Sequence, residues 1–391
     1  MSARLPTETP VLIFGSHLAA LGVLRILAGH GVRCFVVDDT TSIITRSRWY
    51  RPTTPRLPES RDPEALADFL RSLDIPRAVL IPCSDQWALA VAGLPPDLRE
   101  RFPASVPSAD VIAQFTDKAR FGALVGRLGI AHPRSLAIHE PSDLDALTDE
   151  ELRHGFLKPT DSQRHNRRFG TKGAFVSSRA EASDHVRAAT ESGIDFMFQE
   201  WIPGPATQHF NIDGFVTADG TIPGILARRR LRMYPPRLAN TCADVTIPLS
   251  TVDAVLDPIR TMFRSVGYRG IFNIEFKLDP RDGRWNIIEV NARPFWMIAH
   301  IARAGIDLPL MAYLDAQGIA IPAVRSYQIG RYGHYELQDA SSIAHAWAQG
   351  RRGDGSILRS WIIGDRALFW WRDPMPALAA IQDAVSHRIH N

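Results

Sequence analysis

The chain has 391 residues, 45% of them hydrophobic and 22% charged, ordinary values for a globular protein with room for two or three domains. Its formal charge of +3 comes largely from clustered arginines, which suits phosphate or carboxylate ligands and argues against a nucleic-acid partner. Three scattered cysteines (Cys34, Cys83, Cys242) do not make a disulfide framework or a zinc site. The opening MSARLPTETP lacks an apolar signal core and no run reaches ~18 apolar residues, so the expectation is a cytoplasmic protein with no membrane partner.

Residues 10–37 read as strand, helix, strand: PVLIFG ending in Gly15, LAALGVLRILAGHG closed by Gly31, and VRCFVVD ending in Asp38. This βαβ start predicts a Rossmann-like layer. GSHLAALG is not G-x-G-x-x-G, which argues against dinucleotide binding; Gly15, Ser16 and His17 form either a substrate contact or a tight structural turn. A helix over EALADFLRSL, apolar at 66, 69, 70 and 73, a strand AVLIP and a helix beginning near Asp85 continue the alternation. That order predicts a parallel sheet with helices on both faces. CSDQ at 83–86 lies at a strand's carboxyl end, where ligands of open α/β sheets gather. Residues 94–110, rich in proline and charge, read as a bridge to the next domain.

In FTDKARFGALVGRLGI, Thr116 or Asp117 caps a helix whose apolar positions 121, 124, 125 and 128 share one face. Lys118 falls in the first turn, where a cation gains nothing from the helix dipole. It is either a surface lysine or one placed to reach a phosphate. FLKPTDS puts Lys158 at the end of a short apolar strand, an expensive place for an unpaired charge. RRFGTKGAFV then sets Gly170 and Gly173 among Arg167, Arg168 and Lys172; glycines let backbone N–H groups approach phosphates, although Gly-Thr-Lys-Gly is also an ordinary hairpin turn. FMFQEWIPGP at 196–205 is a strand end followed by a loop. GILARRRLRMYPP at 224–236 is the most basic stretch, and alternation sets Arg228, Arg230 and Arg232 on one face. Three like charges there repel unless anions lie opposite, the other reading being a solvated edge strand guarded by cations.

IFNIEFKLDPRDGRWNIIEVNAR at 271–293 reads as a hairpin. With Gly283 in the left-handed position of a three-residue loop, paired residue numbers sum to 564. Glu275 then faces Glu289, and Asn273 faces Asn291. Opposed like charges destabilise a sheet, and a divalent cation between them reverses the penalty. Magnesium, which takes few carboxylates and favours phosphate oxygens, fits this pattern. The competing reading is a solvated hairpin whose acids face water. Residues 321–391, rich in tryptophan and arginine, read as a C-terminal extension packing on the core, with FWWRDP favoured as core aromatics.

The run Glu-Val-Asn-Ala-Arg after an upstream acid resembles the signature of ATP-grasp enzymes, and the preceding motifs fall in that family's order over roughly residues 10–310. The resemblance implies an α/β and α+β chain: a Rossmann-like preface domain (1–112), an ATP-grasp N-terminal half with a glycine-rich lid (113–200), and a C-terminal half with the metal site (201–320), before the extension (321–391). It implies ATP and Mg²⁺ as cofactors, with Glu275, Glu289 and Asn291 on the metal. Lys118, Lys158, Gly170 and Gly173 would meet the nucleotide phosphates, Glu200, Trp201 and Ile202 the adenine, and His209 the ribose. Arg293 would hold the transferred phosphate or acyl phosphate, with Arg230 and Arg232 beside it as catalytic residues. The Arg-rich strand before Tyr-Pro-Pro, and WRDPMPAL at 371–378, look like a branch of carboxylate–amine ligases that includes D-aspartate ligase. The implied reaction joins a small-molecule carboxylate, such as an amino acid, to an amine through an acyl phosphate, giving an amide, ADP and phosphate. A homodimer is left open. Rival readings are another ATP-grasp outcome (carboxylation or kinase-like transfer), an NAD-dependent oxidoreductase on the N-terminal βαβ, and a non-catalytic nucleotide sensor.

Overall fold

Three apolar runs form parallel strands β1 (Val11–Phe14), β2 (Cys34–Val37) and β3 (Val79–Pro82), ordered β2–β1–β3. Eleven of these twelve residues are buried, as a sheet covered on both faces requires. The structure is a computed structural model that describes residues 7–37, 42–159, 173–235, 240–351 and 355–389. Gly170, Arg167, Arg168, Lys172 and most of the expected lid lie outside the described residues, as does Asp38. Helices α1 (Leu18–Gly29), α2 (Pro63–Ser72) and α3 (Asp85–Ala92) flank the sheet. Asp62 caps α2 by accepting from Ala65 N at 2.9 Å.

Residues 94–110 differ from the expected linker. They hold α4 (Pro96–Arg101), and the chain then returns to the first sheet, where Leu80 N donates to Pro103 O at 2.9 Å. Leu94, Leu98 and Phe102, spaced by four, are buried in that sheet's core and draw the segment in. Only α5 (Ala109–Thr116) and α6 (Lys118–Arg127) lead away.

A three-stranded antiparallel sheet follows, β4 (Ser135–Ile138), β5 (Gly155–Pro159) and β6 (Phe196–Glu200) in the order β4–β6–β5, with α7 (Asp149–Arg153) leading into β5 and α8 (Arg179–Thr190) packed on the sheet. The larger sheet contains β7 (His209–Val216), β8 (Gly224–Tyr234), β9 (Asn240–Ile247), β10 (Gly270–Leu278), β11 (Trp285–Asn291), β12 (Tyr332–His334) and β13 (Asp365–Arg366), ordered β11–β10–β7–β8–β9–β12–β13. Helix α9 (Asp253–Val266) buries Val255, Ile259, Met262 and Phe263 against it and stops at Gly267, whose φ is +63°. Helices α10 (Ile298–Ala304) and α11 (Leu308–Ala316) lie between the first sheet and the seven-stranded sheet and share one core with α1. Gly22 permits this approach, because a Cβ there would stand 2.7 Å from Ile298 Cγ2.

The C-terminal segment is more than an extension. It supplies β12 and β13 to the large sheet, helices α12 (Glu336–Ala348), α13 (Gly355–Ile363) and α14 (Met375–Ile389), and a clamp on α1. Arg25, 1% exposed, donates to Asp373 Oδ2 at 2.9 Å and to the carbonyls of Ala367, Leu368 and Asp373, with Trp370 stacked at 5.0 Å. Asp373 also accepts from Ser47 and from Arg48 N, each at 2.8 Å. Of the FWWRDP aromatics, Trp370 packs here, whereas Trp371 is exposed.

Two outcomes follow from these buried ions. Asp373→Asn leaves the Arg25 charge buried without its counter-ion and should lower unfolding stability by about 3 kcal/mol in a denaturant titration. Asp365 accepts from His300, Arg331 and Arg303. Burial alone would raise its pKa, but those partners together hold it well below the ordinary carboxylate range. A depressed folded-state value means stability that is present at neutral pH and lost as pH falls below about 4. Asp365→Asn should therefore flatten the acid limb of the stability curve, and an unchanged limb would contradict the pairing.

Candidate active site

The hairpin's register decides what faces what. Glu275 pairs with Glu289 and Asn273 with Asn291, but the turn is not the expected one. Asp279 N donates to Arg284 O at 2.8 Å around a four-residue loop, with Gly283 at φ +73°, so residues beside the turn sum to 563. A bulge at Ile288 adds the missing residue and restores the expected pairing at the acids.

Glu275 is balanced by the protein itself. Its Oε1 accepts from Arg230 Nη2 at 2.7 Å and lies 2.9 Å from His209 Nδ1. Burial would raise its pKa, but the Arg230 charge and the His209 contact outweigh burial and hold it well below the usual carboxylate range. Glu289, directly opposite, makes no hydrogen bond or ion pair to any described residue. Asn291 Nδ2 donates to Asn273 Oδ1 at 3.0 Å, and Asn273 donates to Asp213 at 2.6 Å, which fixes the amide with Asn291 Oδ1 unpaired. One face of the hairpin thus presents Glu289, Glu275 Oε2 and Asn291 Oδ1. Two carboxylates and one amide oxygen suit Mg²⁺, which keeps positions for water and phosphate. Among the described residues no group of three His, Cys, Asp or Glu forms a metal-ligating cluster.

Of the two lysines expected at the phosphates, Lys158 lies in the electrostatic field of Glu289, Glu275 and Lys118. Asp117 caps α6 by accepting from Ala119 N and Arg120 N at 2.9 and 3.0 Å, which sets Lys118 in the first turn; Thr116, the other capping candidate, instead donates back to Ile112 O. Burial pushes the Lys158 ammonium below its ordinary value, the Lys118 charge adds to that, and Glu289 and Glu275 oppose it. Gly173 precedes Ala174, which exchanges two backbone hydrogen bonds with Leu157 at 2.8 and 2.9 Å, so the described end of the lid segment lies beside Lys158.

In the segment expected to meet the adenine, Trp201 N donates to His154 O at 2.9 Å, while Ile202 N–H meets no described acceptor. Glu200 is gripped by Arg281 of the hairpin turn at 2.6 Å. The Trp201 ring stands edge-on to Phe156 and Phe175, with centroids 5.9 and 5.2 Å away. Sequence reading passed over Lys277. It is 3% exposed, its Nζ stacks 4.5 Å from the Trp201 ring centroid, and it donates to no described residue. Burial, reinforced by Arg230, pushes its pKa down to about 8. The signal was present: alternation sets Lys277 on Glu275's face, and a buried strand lysine is as costly there as at Lys158.

The remaining candidates separate. Arg228, Arg230 and Arg232 each meet a carboxylate of the protein's own. Arg228 grips Asp213 at 2.6 and 3.1 Å and also bonds Asp244. Arg230 reaches Glu275 and Thr241. Arg232 is committed to Asp339 at 2.6 and 2.8 Å and to Ser360, away from the hairpin acids, after a shift in strand register between Arg230 and Arg232. His209 lies against Glu275. Arg293 makes a two-point pair with Asp85 at 2.8 and 3.1 Å, which brings the CSDQ segment to the site.

No family model matches the chain. A curated relative, D-aspartate ligase of Enterococcus faecium (strain Aus0004), is 24% identical over 223 residues, 55% of this chain. That match spans about half of the relative's length, 53%. Among solved structures, a biotin carboxylase–beta-gamma-ATP complex from Campylobacter jejuni superposes with a TM-score of 0.61 at 14% identity, covering 83% of this chain and 75% of that one. N5-carboxyaminoimidazole synthetase from Staphylococcus aureus complexed with ADP gives 0.62 at 12% identity, covering 84% and 82%. L-amino acid ligase from Bacillus licheniformis gives 0.57 at 16%, covering 80% and 75%. With the sheets described above, these likenesses establish an ATP-grasp fold preceded by a Rossmann-like domain. In sequence, the chain is similar to a D-aspartate ligase over its matched part.

Because Glu289 makes no hydrogen bond or ion pair with a described residue, Glu289→Gln should fold with nearly unchanged thermal stability, and if Glu289 holds the metal it should lose Mg²⁺-dependent ATP turnover by about 10²-fold or more. Wild-type turnover in that variant would remove Glu289 from the metal set.

Proposed function

We propose that the protein is a Mg·ATP-dependent carboxylate–amine ligase acting on an amino acid or similar small carboxylate. The observation that carries this reading is the opposed pair Glu275 and Glu289, one neutralised internally and one left free, beside Asn291 and within the field of two lysines. Glu289, Glu275 and Asn291 would hold the metal, which when bound would neutralise charge on the nucleotide phosphates. Lys118 and Lys158 stabilise the same phosphates, and catalysis consists of positioning and charge neutralisation. Arg230 and His209 engage Glu275 Oε1, which would leave its second oxygen for the metal. Trp201, Lys277 and the Ile202 N–H hold the nucleobase end.

A substrate carboxylate oxygen attacks the γ-phosphorus, the bond from that phosphorus to the ADP oxygen breaks, and ADP leaves. Arg293 holds the resulting acyl phosphate. The amine then adds to the carbonyl carbon, phosphate departs with the bonding pair, and the amine gives up its proton to solvent. The match to a D-aspartate ligase supports an acidic amino acid as the activated carboxylate.

Incubation with Mg·ATP, D-aspartate and a panel of amino acids and amines tests the reading by nucleotide analysis and mass spectrometry. The expected result is ADP together with a product equal to two inputs minus water. AMP would overturn the acyl-phosphate route. For Lys277→Met, loss of the cation stacked on Trp201 at the proposed nucleobase end predicts a KM for ATP raised about tenfold (~1.4 kcal/mol) with kcat nearly unchanged. An unchanged KM would remove Lys277 from the nucleotide site.

A further inference from the structure

Arg293 is not a free cation at the end of the hairpin. Its Nε and Nη2 donate to Asp85 Oδ1 and Oδ2 at 2.8 and 3.1 Å, and its Nη1 donates to Pro294 O at 3.2 Å. Asp85 comes from the other side of the chain, 208 residues away, as the first residue of α3 at the carboxyl end of β3.

The backbone beneath Asp85 is tightly held. Ser84 caps α3 by accepting from Trp87 N at 3.3 Å, and Cys83 N donates to Phe14 O at 2.9 Å. Gly15, at φ +133°, passes so near that a Cβ there would stand 3.3 Å from Cys83 Cβ. A long, flexible arginine is therefore docked onto a short carboxylate whose own backbone is pinned to the first sheet. The rigid partner sets the geometry.

A guanidinium offers two double-donor edges. Asp85 fills the edge made by Nε and Nη2. Each terminal nitrogen keeps one N–H without a described acceptor, enough to meet two oxygens of an anion. We propose that Asp85 is a positioning residue that orients Arg293 with its outer edge toward the transferred phosphoryl group, so that the first sheet aligns the phosphate-holding arginine of the hairpin. This rests on the ligase reading above. A merely structural ion pair is the alternative, and the partial exposure of both side chains, 22% and 42%, makes a large effect on folding unexpected.

The test is a double-variant cycle on the full chain: Asp85→Asn, Arg293→Lys and both together. The readout is ADP release from Mg·ATP, with water as acceptor and with D-aspartate plus the amine panel. If Asp85 acts through Arg293, Asp85→Asn lowers kcat by about 10- to 100-fold and leaves the KM for ATP within about twofold. Asp85→Glu restores part of the loss, and the double variant is no slower than Arg293→Lys alone. Losses that multiply, or a change in KM without kcat, would overturn the positioning role. So would an unaffected kcat in Asp85→Asn, with thermal melts confirming that each variant is folded. No ADP release from the wild-type protein under any of these conditions would remove the ligase reading, and this inference with it.

Discussion

Two carboxylates placed opposite each other on adjacent strands govern the site. Glu275 and Glu289 would repel if both were left bare. The fold resolves half of that conflict internally: Arg230 and His209 neutralise Glu275, and no described group does the same for Glu289. On the proposed reading, the remaining charge would draw a cation. Lys158 lies in the field of Glu289, Glu275 and Lys118, and Lys277 in that of Glu275, so the lysines would be balanced by the phosphates of a bound nucleotide. The half-neutralised pair, rather than any single residue, is then the basis of the proposed selectivity for a metal–nucleotide complex.

Behind the hairpin, the large sheet carries a buried relay of charges. Asn291 leans on Asn273, Asn273 on Asp213, Asp213 on Arg228, and Arg228 on Asp244. His300 Nε2 stands 3.6 Å from Asp244, and its other ring nitrogen meets Asp365 beside Arg331 and Arg303. Such networks hold side chains in one arrangement because an unpaired buried ion is costly. Here the relay reaches from a proposed metal ligand to strand β13, so the C-terminal segment takes part in the same sheet that positions the chemistry. The clamp between Arg25 and Asp373 ties that segment to the first sheet's helix.

Much of this was legible in the sequence, for physical reasons. Unbroken apolar runs marked β1 to β3, and period-two alternation placed Glu275 and Glu289 face to face. That pairing emerged for a partly different reason, since a four-residue loop and a bulge at Ile288 replaced the expected three-residue loop. Alternation failed at Arg232, where the register slips and the guanidinium turns to Asp339, a partner 107 residues away. Asp85 and Asp373 were unreadable as partners because their arginines lie 208 and 348 residues distant. Residues 94–110 looked like a linker by composition, yet the spacing of Leu94, Leu98 and Phe102 carried the opposite message for their first half. Lys277 was visible on the correct face, but its burial and its stacking on Trp201, which distinguish it from a solvated lysine, needed the structure.

The central claim is that a substrate carboxylate is activated by direct attack on the γ-phosphorus. Its most direct test is ligation with a carboxylate labelled with ¹⁸O in both oxygens, followed by mass analysis of the phosphate released. Transfer of one labelled oxygen into phosphate is the predicted result, because the acyl phosphate carries that oxygen away when the amine displaces it. Unlabelled phosphate alongside amide product would contradict the account.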